Sequence, residues 1–365
     1  MDNFPFQENV RQTTLSGIQS LRGVAALLVV CFHAALLVQR NGWTVHLAHL
    51  LDYWGRIGVD IFFVISGFVM VVIAGDRPRG MSVACNFMRD RIIRIAPVYW
   101  VLTGLMTLAL AAAPSVFNTA RFDWVITLAS CLFIPTLDRA AGITYPILYV
   151  GWTLSYEMLF YLVFSAMLLL RREVRIPGLI LIFGTAVIAG LAMRQQGFLA
   201  FLTDPITMEF VFGCIIGQIY QKAPPVSKRA GLVVLSLGGA LAAASIRENI
   251  DLQWRALAWG LPAALIVDGA ALMERSGSTH WPKLLRVLGD SSYSLYLTHI
   301  FVLPLIGRVL TKLDSARIVY GDMIWIGVIS IAVLFGHIFY LKFEAPVTRY
   351  LRRKSLPIEA RKTPA

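Results

Sequence analysis

Charge is scarce in this chain. Of its 365 residues only 15% are Asp, Glu, Lys or Arg, where a soluble domain carries about 25%. Cysteine is scarcer: Cys31, Cys85, Cys131 and Cys214 are the only four, and none forms a Cys-x-x-Cys pair. That gives no basis for a disulfide framework or a thiolate metal site, and no metal is expected. A Walker sequence, Gly-x-Ser-x-Gly and His-Glu-x-x-His are all missing, which leaves kinase, lipase and zincin chemistry without support. No internal repeat stands out, which counts against an inverted-repeat transporter. The first apolar run, from about Leu21, carries Arg22 and His33 and no small-residue cleavage site, so it reads as a retained span rather than a signal peptide.

What is abundant is apolar surface, 57% of residues. It lies in runs of about 16–20 residues nearly free of charge, the length that crosses a bilayer as a helix. The runs read as spans at 18–38, 57–75, 95–113, 151–170, 177–193, 206–221, 231–246, 256–272, 292–308 and 323–341. A shorter apolar piece at 124–134 fits a re-entrant or interfacial helix. The net charge of +12 does not point to nucleic acid, because Lys and Arg cluster between the apolar runs as in cytoplasmic loops. With the amino terminus inside and 124–134 not crossing, Arg77, Arg79, Arg89, Arg91, Arg94, Arg171, Arg172, Arg175 and the tail Arg349, Arg352, Arg353 and Lys354 all fall on the inner side. The expected architecture is therefore all-α: about ten transmembrane helices, one short re-entrant or interfacial helix and both termini cytoplasmic. The expected division is 1–16 as amino-terminal segment, 17–345 as transmembrane domain and 346–365 as basic tail.

Ionisable residues inside spans are costly and therefore suspect as functional groups. Arg22 and His33 are eleven residues apart on the first span, hence within about 20° of one face and roughly 16 Å apart along the axis. Asp60 on the second span and Glu157 on the fourth fall in the same outer half as His33. A carboxylate beside a histidine orients the ring and stabilises its protonated form. Asp60 reads equally as a structural residue paired with a cation. His299, on the ninth span, is either a second site residue or a strut between helices. Asp268, Glu209 and His337 read as structural. Arg91 and Arg94, at the inner end of the third span, suit phosphate because a guanidinium binds two oxygens at once and stays charged. A basic inner mouth with a His/carboxylate group toward the outer side fits group transfer across the membrane. It also fits a proton-coupled transporter of a lipid-linked sugar or acyl group.

Six blocks in order resemble the membrane acyltransferase-3 family. They are Leu21-Arg22-Gly to Phe32-His33; Gly58-Val-Asp60-Ile-Phe-Phe-Val-Ile-Ser-Gly-Phe68; Arg91-Ile-Ile-Arg94-Ile-Ala-Pro97; Trp152-Thr-Leu-Ser155-Tyr-Glu157; Ser292-Tyr293-Ser-Leu-Tyr296-Leu-Thr-His299; and Phe343-Glu344-Ala-Pro346. Within that family the stretch from Leu132 to Met158 is most similar to stand-alone bacterial exopolysaccharide O-acetyltransferases. The resemblance implies a multi-pass protein of the bacterial inner membrane. It implies acetyl-CoA as a cytoplasmic donor substrate, with no tightly bound cofactor. The implied acceptor is a hydroxyl on a surface polysaccharide or its lipid-linked precursor. On this reading Arg22, Arg91 and Arg94 hold the coenzyme A phosphates. His33 is the general base, with Glu157 or Asp60 orienting it, and an acyl-His intermediate is the alternative route. Trp152, Ser155, Tyr293 and His299 are the expected substrate-binding residues, Ser155 or Tyr293 being placed to stabilise an oxyanion.

Overall fold

The computed structural model describes residues 15–47, 54–113, 122–136, 145–193, 197–224, 226–246, 250–277, 279–313 and 319–355. The expected amino-terminal segment up to residue 14 and the tail from 356 lie outside them. The described residues form helices and connecting turns, with no strand among them. In chain order the helices are α1 Ser16–Arg40, α2 Trp54–Met70, α3 Met81–Ala112, α4 Trp124–Cys131, α5 Trp152–Met167, α6 Arg172–Met193 and α7 Gly197–Leu202. They continue as α8 Thr207–Lys222, α9 Lys228–Ile246, α10 Leu261–Arg275, α11 Lys283–Asp290, α12 Ser292–Leu313, α13 Gly321–Phe339 and α14 Ala345–Ser355. Short π-helical turns occupy Val71–Gly75, Ala256–Gly260 and Tyr340–Glu344.

Eight helical runs are long and apolar enough to cross a membrane: Ser16–Arg40, Gly55–Gly75, Met81–Ala112, Arg172–Met193, Gly197–Lys222, Ala256–Arg275, Ser292–Leu313 and Gly321–Ser355. Many of their large apolar side chains point outward, such as Leu105 and Leu108 on α3 and Leu181 and Ile188 on α6. Water would penalise such a surface and lipid does not. The expected spans at 151–170 and 231–246 appear as α5 and α9, of 16 and 19 residues. The piece expected to dip is α4, only 8 residues long and so about 12 Å in length. Asp123 caps it, accepting hydrogen bonds from the amides of Val125 and Ile126 at 2.7 and 3.0 Å. Phe133, at a φ of 60°, turns the chain away after it.

The chain divides into two compact units. The first comprises residues 1–77, 205–292 and 306–329. Its core is built on α1, α2, α8 and α10, with Leu21, Ala25, Ile61, Val64, Phe68 and Val267 among the buried apolar side chains. Glycine sets how closely these helices approach. A Cβ on Gly67 would overlap the Phe210 carbonyl, and one on Gly213 would overlap that of Val64, so α2 and α8 meet backbone to backbone. Likewise Gly55 faces Leu28 and Phe32, while Gly58 faces Ala25 and Val29, which fixes an antiparallel register between α2 and α1. The start of α1 is capped from afar: the Glu274 carboxylate accepts from the Ser16 and Gly17 amides at 3.0 and 2.6 Å, a favourable charge at a helix amino end.

The second unit comprises residues 78–204, 293–305 and 330–365. Here α3 and α5 pack together, Ser165 donating to the Ala84 carbonyl at 3.1 Å. Gly336 lies against Leu295, joining α13 to α12. The π turn Tyr340–Glu344 then redirects the chain into α14, which lies on α3.

The reciprocal glycine contact is testable. Gly213→Val should lower the stability of the detergent-purified protein by about 1–3 kcal/mol, because a crowded interface cannot yield a methyl's width of space. Gly239→Ala, where a Cβ meets nothing within 4 Å, should leave the thermal midpoint unchanged or raised. Differential scanning fluorimetry reads both.

Candidate functional site

His33 sits half-buried on α1. Its Nδ1 lies 2.9 Å from the Val29 carbonyl oxygen, one turn back. A carbonyl only accepts, so Nδ1 carries the proton and, in the neutral ring, Nε2 keeps its lone pair. The backbone is held here as well: the Trp325 indole N–H donates to the Cys31 carbonyl at 3.0 Å, and the Phe32 ring packs edge-on to the imidazole. Eleven residues earlier, Arg22 reaches Gln19 at 3.4 Å, and Gln19 donates to Asp290 at 2.7 Å.

Asp60 is occupied. Arg255 Nε approaches Oδ1 at 3.1 Å and Nη2 approaches Oδ2 at 3.3 Å, a forked pair that engages both carboxylate oxygens. Glu209 Oε1 lies 3.8 Å from the same Nε. Both carboxylates are fully buried, while the Arg255 side chain is 14% exposed and stacks over Trp259. The glycine register between α2 and α1 sets Asp60 opposite about Ala25, roughly two helical turns from the level of His33. Of the two readings of Asp60, the geometry matches the structural ion pair. Glu209 matches its structural reading too, whereas Asp268 has no ion-pair partner among the described residues. Arg255 escaped sequence reading because it falls just outside an apolar run. The signal for it was two intramembrane acids, Asp60 and Glu209, with no cation assigned.

The second unit gathers the other expected residues into a polar interior. Arg94 forms an ion pair with Glu344, which is fully buried, and Ser294 donates to the other Glu344 oxygen at 2.5 Å. The Arg94 guanidinium also lies over the Tyr293 ring, and Tyr293 donates its hydroxyl to the Ile95 carbonyl at 2.7 Å. Glu157 accepts a hydrogen bond from Tyr161, one turn on. Thr153 and Tyr296 bond each other at 2.9 Å. Ser155 is buried, and Trp152 packs edge-on to Tyr156, whose hydroxyl donates to Asp204 at 2.9 Å. His299 is fully buried, its Nδ1 3.2 Å from the Leu295 carbonyl, so it carries the same protonation pattern as His33. Arg91 differs from Arg94: its guanidinium lies over Phe87, and its buried Nε has no hydrogen-bond partner among the described residues.

Comparison with known proteins adds an independent line. An acyltransferase-domain family model, Acyl_transf_3, matches residues 15–341. The chain is 35% identical over 298 residues to "Exopolysaccharide production protein ExoZ" of Rhizobium meliloti (strain 1021), covering 81% of this chain and 90% of that one. It is 26% identical to "Acyltransferase MdmB" of Streptomyces mycarofaciens over 97% of each. It is 22% identical to "Peptidoglycan O-acetyltransferase OatA" of Listeria monocytogenes over 91% of this chain and 55% of that one. No solved structure matches it.

Removing either guanidinium strands a buried carboxylate. Arg255→Ala and Arg94→Ala should each destabilise the protein by about 3–5 kcal/mol. In Asp60→Asn with Arg255→Gln the loss should be smaller than the sum of the single substitutions. Thermal unfolding of these variants, with Asp60→Asn and Arg255→Gln also made singly, in one detergent measures this.

Proposed function

The chain belongs to the acyltransferase-3 family, and on that premise we propose a membrane O-acyltransferase that moves an acetyl group from cytoplasmic acetyl-CoA to a hydroxyl of a surface polysaccharide or its lipid-linked precursor. The glycan acceptor is suggested by the exopolysaccharide and peptidoglycan proteins to which the chain is similar. The observation that carries the chemistry is the tautomer of His33. Its Nδ1 is committed to the Val29 carbonyl, which leaves Nε2 as the base.

In the proposed reaction Nε2 accepts the proton of the acceptor hydroxyl as the oxygen attacks the thioester carbonyl. The C–S bond then breaks. The coenzyme A thiolate takes the proton from the imidazolium, and histidine returns to its starting state. Glu157, bonded by Tyr161, is retained as the catalytic carboxylate. Asp60 is assigned to positioning, because Arg255 holds both its oxygens. Arg91 and Arg94 on α3 are the cations for the donor's phosphates, and Arg22 on α1 is the further cation that the resemblance puts in that role. Trp152, Ser155, Tyr293 and His299 remain the proposed acceptor-side residues.

The same reading completes the topology. The turn Tyr149–Gly151 runs directly into α5 and lengthens that helical run, and α9 has 19 residues. Counted with the eight longer runs they make ten spans, with both termini on the cytoplasmic side of a bacterial inner membrane.

The decisive experiment incubates membranes carrying the full chain with radiolabelled acetyl-CoA and extracts the glycan. His33→Gln should lower label transfer by about 10²–10⁴-fold while leaving the thermal midpoint and coenzyme A affinity unchanged. Transfer at the wild-type rate in that variant would remove His33 from the mechanism.

A further inference from the structure

The stretch leading into α5 holds one large aromatic side chain away from the protein interior. Leu148 and Val150 are buried, at 0% and 1% exposure, while Tyr149 between them is 46% exposed. The backbone around it is anchored. The hydroxyl oxygens of Thr153 and Tyr296 both lie 3.1 Å from the Val150 carbonyl oxygen, and the Ile147 amide donates to Ser130 on α4 at 2.9 Å. Tyr149 is therefore turned outward by a fixed turn, not by a loose loop. Tyr145, also exposed, packs against it with ring centroids 4.6 Å apart.

The aromatic surface continues inward. Tyr149, Trp152 and Tyr156 are three and four residues apart along one helical run, Tyr149–Gly151 leading into α5, and so fall on one face. Tyr149 is exposed, Trp152 half-buried and Tyr156 buried. At the inner end the Tyr156 hydroxyl donates to Asp204 at 2.9 Å. Aromatic rings at a membrane edge commonly serve as headgroup anchors. A carboxylate on the same face argues against that role here, because lipid penalises it. Rings graded from surface to interior, with an acid at the inner end, fit a sugar instead. One face of a pyranose consists of C–H bonds that pack flat on an aromatic ring, and the hydroxyls around its rim need hydrogen-bond partners. We propose that Tyr145, Tyr149, Trp152 and Asp204 form a sugar subsite, the rings stacking on a pyranose face and the Asp204 carboxylate accepting from its hydroxyls. In the proposed topology this is the outer end of α5, away from Arg171 and Arg172, so the occupant is a sugar residue of the acceptor glycan. The proposal rests on the function proposed above and adds Tyr145, Tyr149 and Asp204 to it.

The probe is the glycan that wild type labels, freed of its esters by mild alkali and added back in graded amounts to the detergent-purified full chain with acetyl-CoA. Tyr145→Ala and Tyr149→Ala should each raise the KM for glycan about three- to tenfold. Their kcat, their KM for acetyl-CoA and their thermal midpoints should stay at wild-type values, which separates lost acceptor binding from lost chemistry or folding. Tyr149→Phe keeps the ring and should match wild type. Tyr149→Leu is apolar but not flat and should behave as Tyr149→Ala. Asp204→Asn should raise the same KM. Trp124→Ala, which removes an equally exposed ring on α4, should change neither KM. A wild-type glycan KM in Tyr149→Ala or in Tyr149→Leu overturns the subsite and leaves the acyl-transfer reading standing. Failure of the wild type to label any glycan removes both.

Discussion

A charged side chain inside a membrane helix bundle is tolerated only when an opposite charge or a hydrogen-bonding shell replaces the water it has lost. That constraint orders much of this protein. In one unit Arg255 satisfies Asp60 and lies beside Glu209. In the other, Arg94 satisfies Glu344. Each pair joins segments far apart in sequence. Each also sits beside a π-helical turn, Ala256–Gly260 following Arg255 and Tyr340–Glu344 ending on the acid. An extra residue in a helical turn rotates the side chains after it, a local adjustment often found at functional positions. Here it accompanies the buried charges.

Once the ion pairs are accounted for, the remaining polar groups separate by role. His33 is oriented by its own helix, through the carbonyl one turn back, and so needs no carboxylate to fix its tautomer. Its surroundings are held rigid by small residues and by distant caps: the glycines of α2 against α1, Glu274 at the start of α1 and Trp325 on Cys31. The general base proposed at His33 would profit from such rigidity, because proton transfer depends on distance and direction more than on bulk affinity. Arg91 shows the opposite behaviour. Partly buried over the Phe87 ring, its Nε has no hydrogen-bond partner among the described residues.

Much of this was legible in the chain. Apolar runs located the helices because lipid demands uninterrupted apolar length, and the eight longest runs all fall on expected spans. Their ends were less legible. The helix containing Arg91 begins at Met81, not near residue 95, and the last run continues to Ser355, not 341. Charged residues stop a hydropathy run without stopping a helix, since Arg and Lys are good helix formers. The site residues were found individually, because ionisable groups stand out against an apolar background. Their partners were not. Nothing local in the sequence distinguishes Arg94 from Arg91, or links Asp60 to Arg255 across 195 positions. Those pairings are tertiary, set by glycine-determined helix spacing and by the redirection of the last span into α14.

The proposed reaction is directional: in it the donor enters from the cytoplasmic side and the acetyl group is passed to an acceptor on the far side. Sealed vesicles of both orientations, given membrane-impermeant radiolabelled acetyl-CoA from outside, measure this directly. Inverted vesicles, which present the cytoplasmic face, should transfer label to glycan enclosed within them, and right-side-out vesicles should remain unlabelled until permeabilised. Labelling confined to intact right-side-out vesicles would contradict the claim, since it would put the donor site on the outer face.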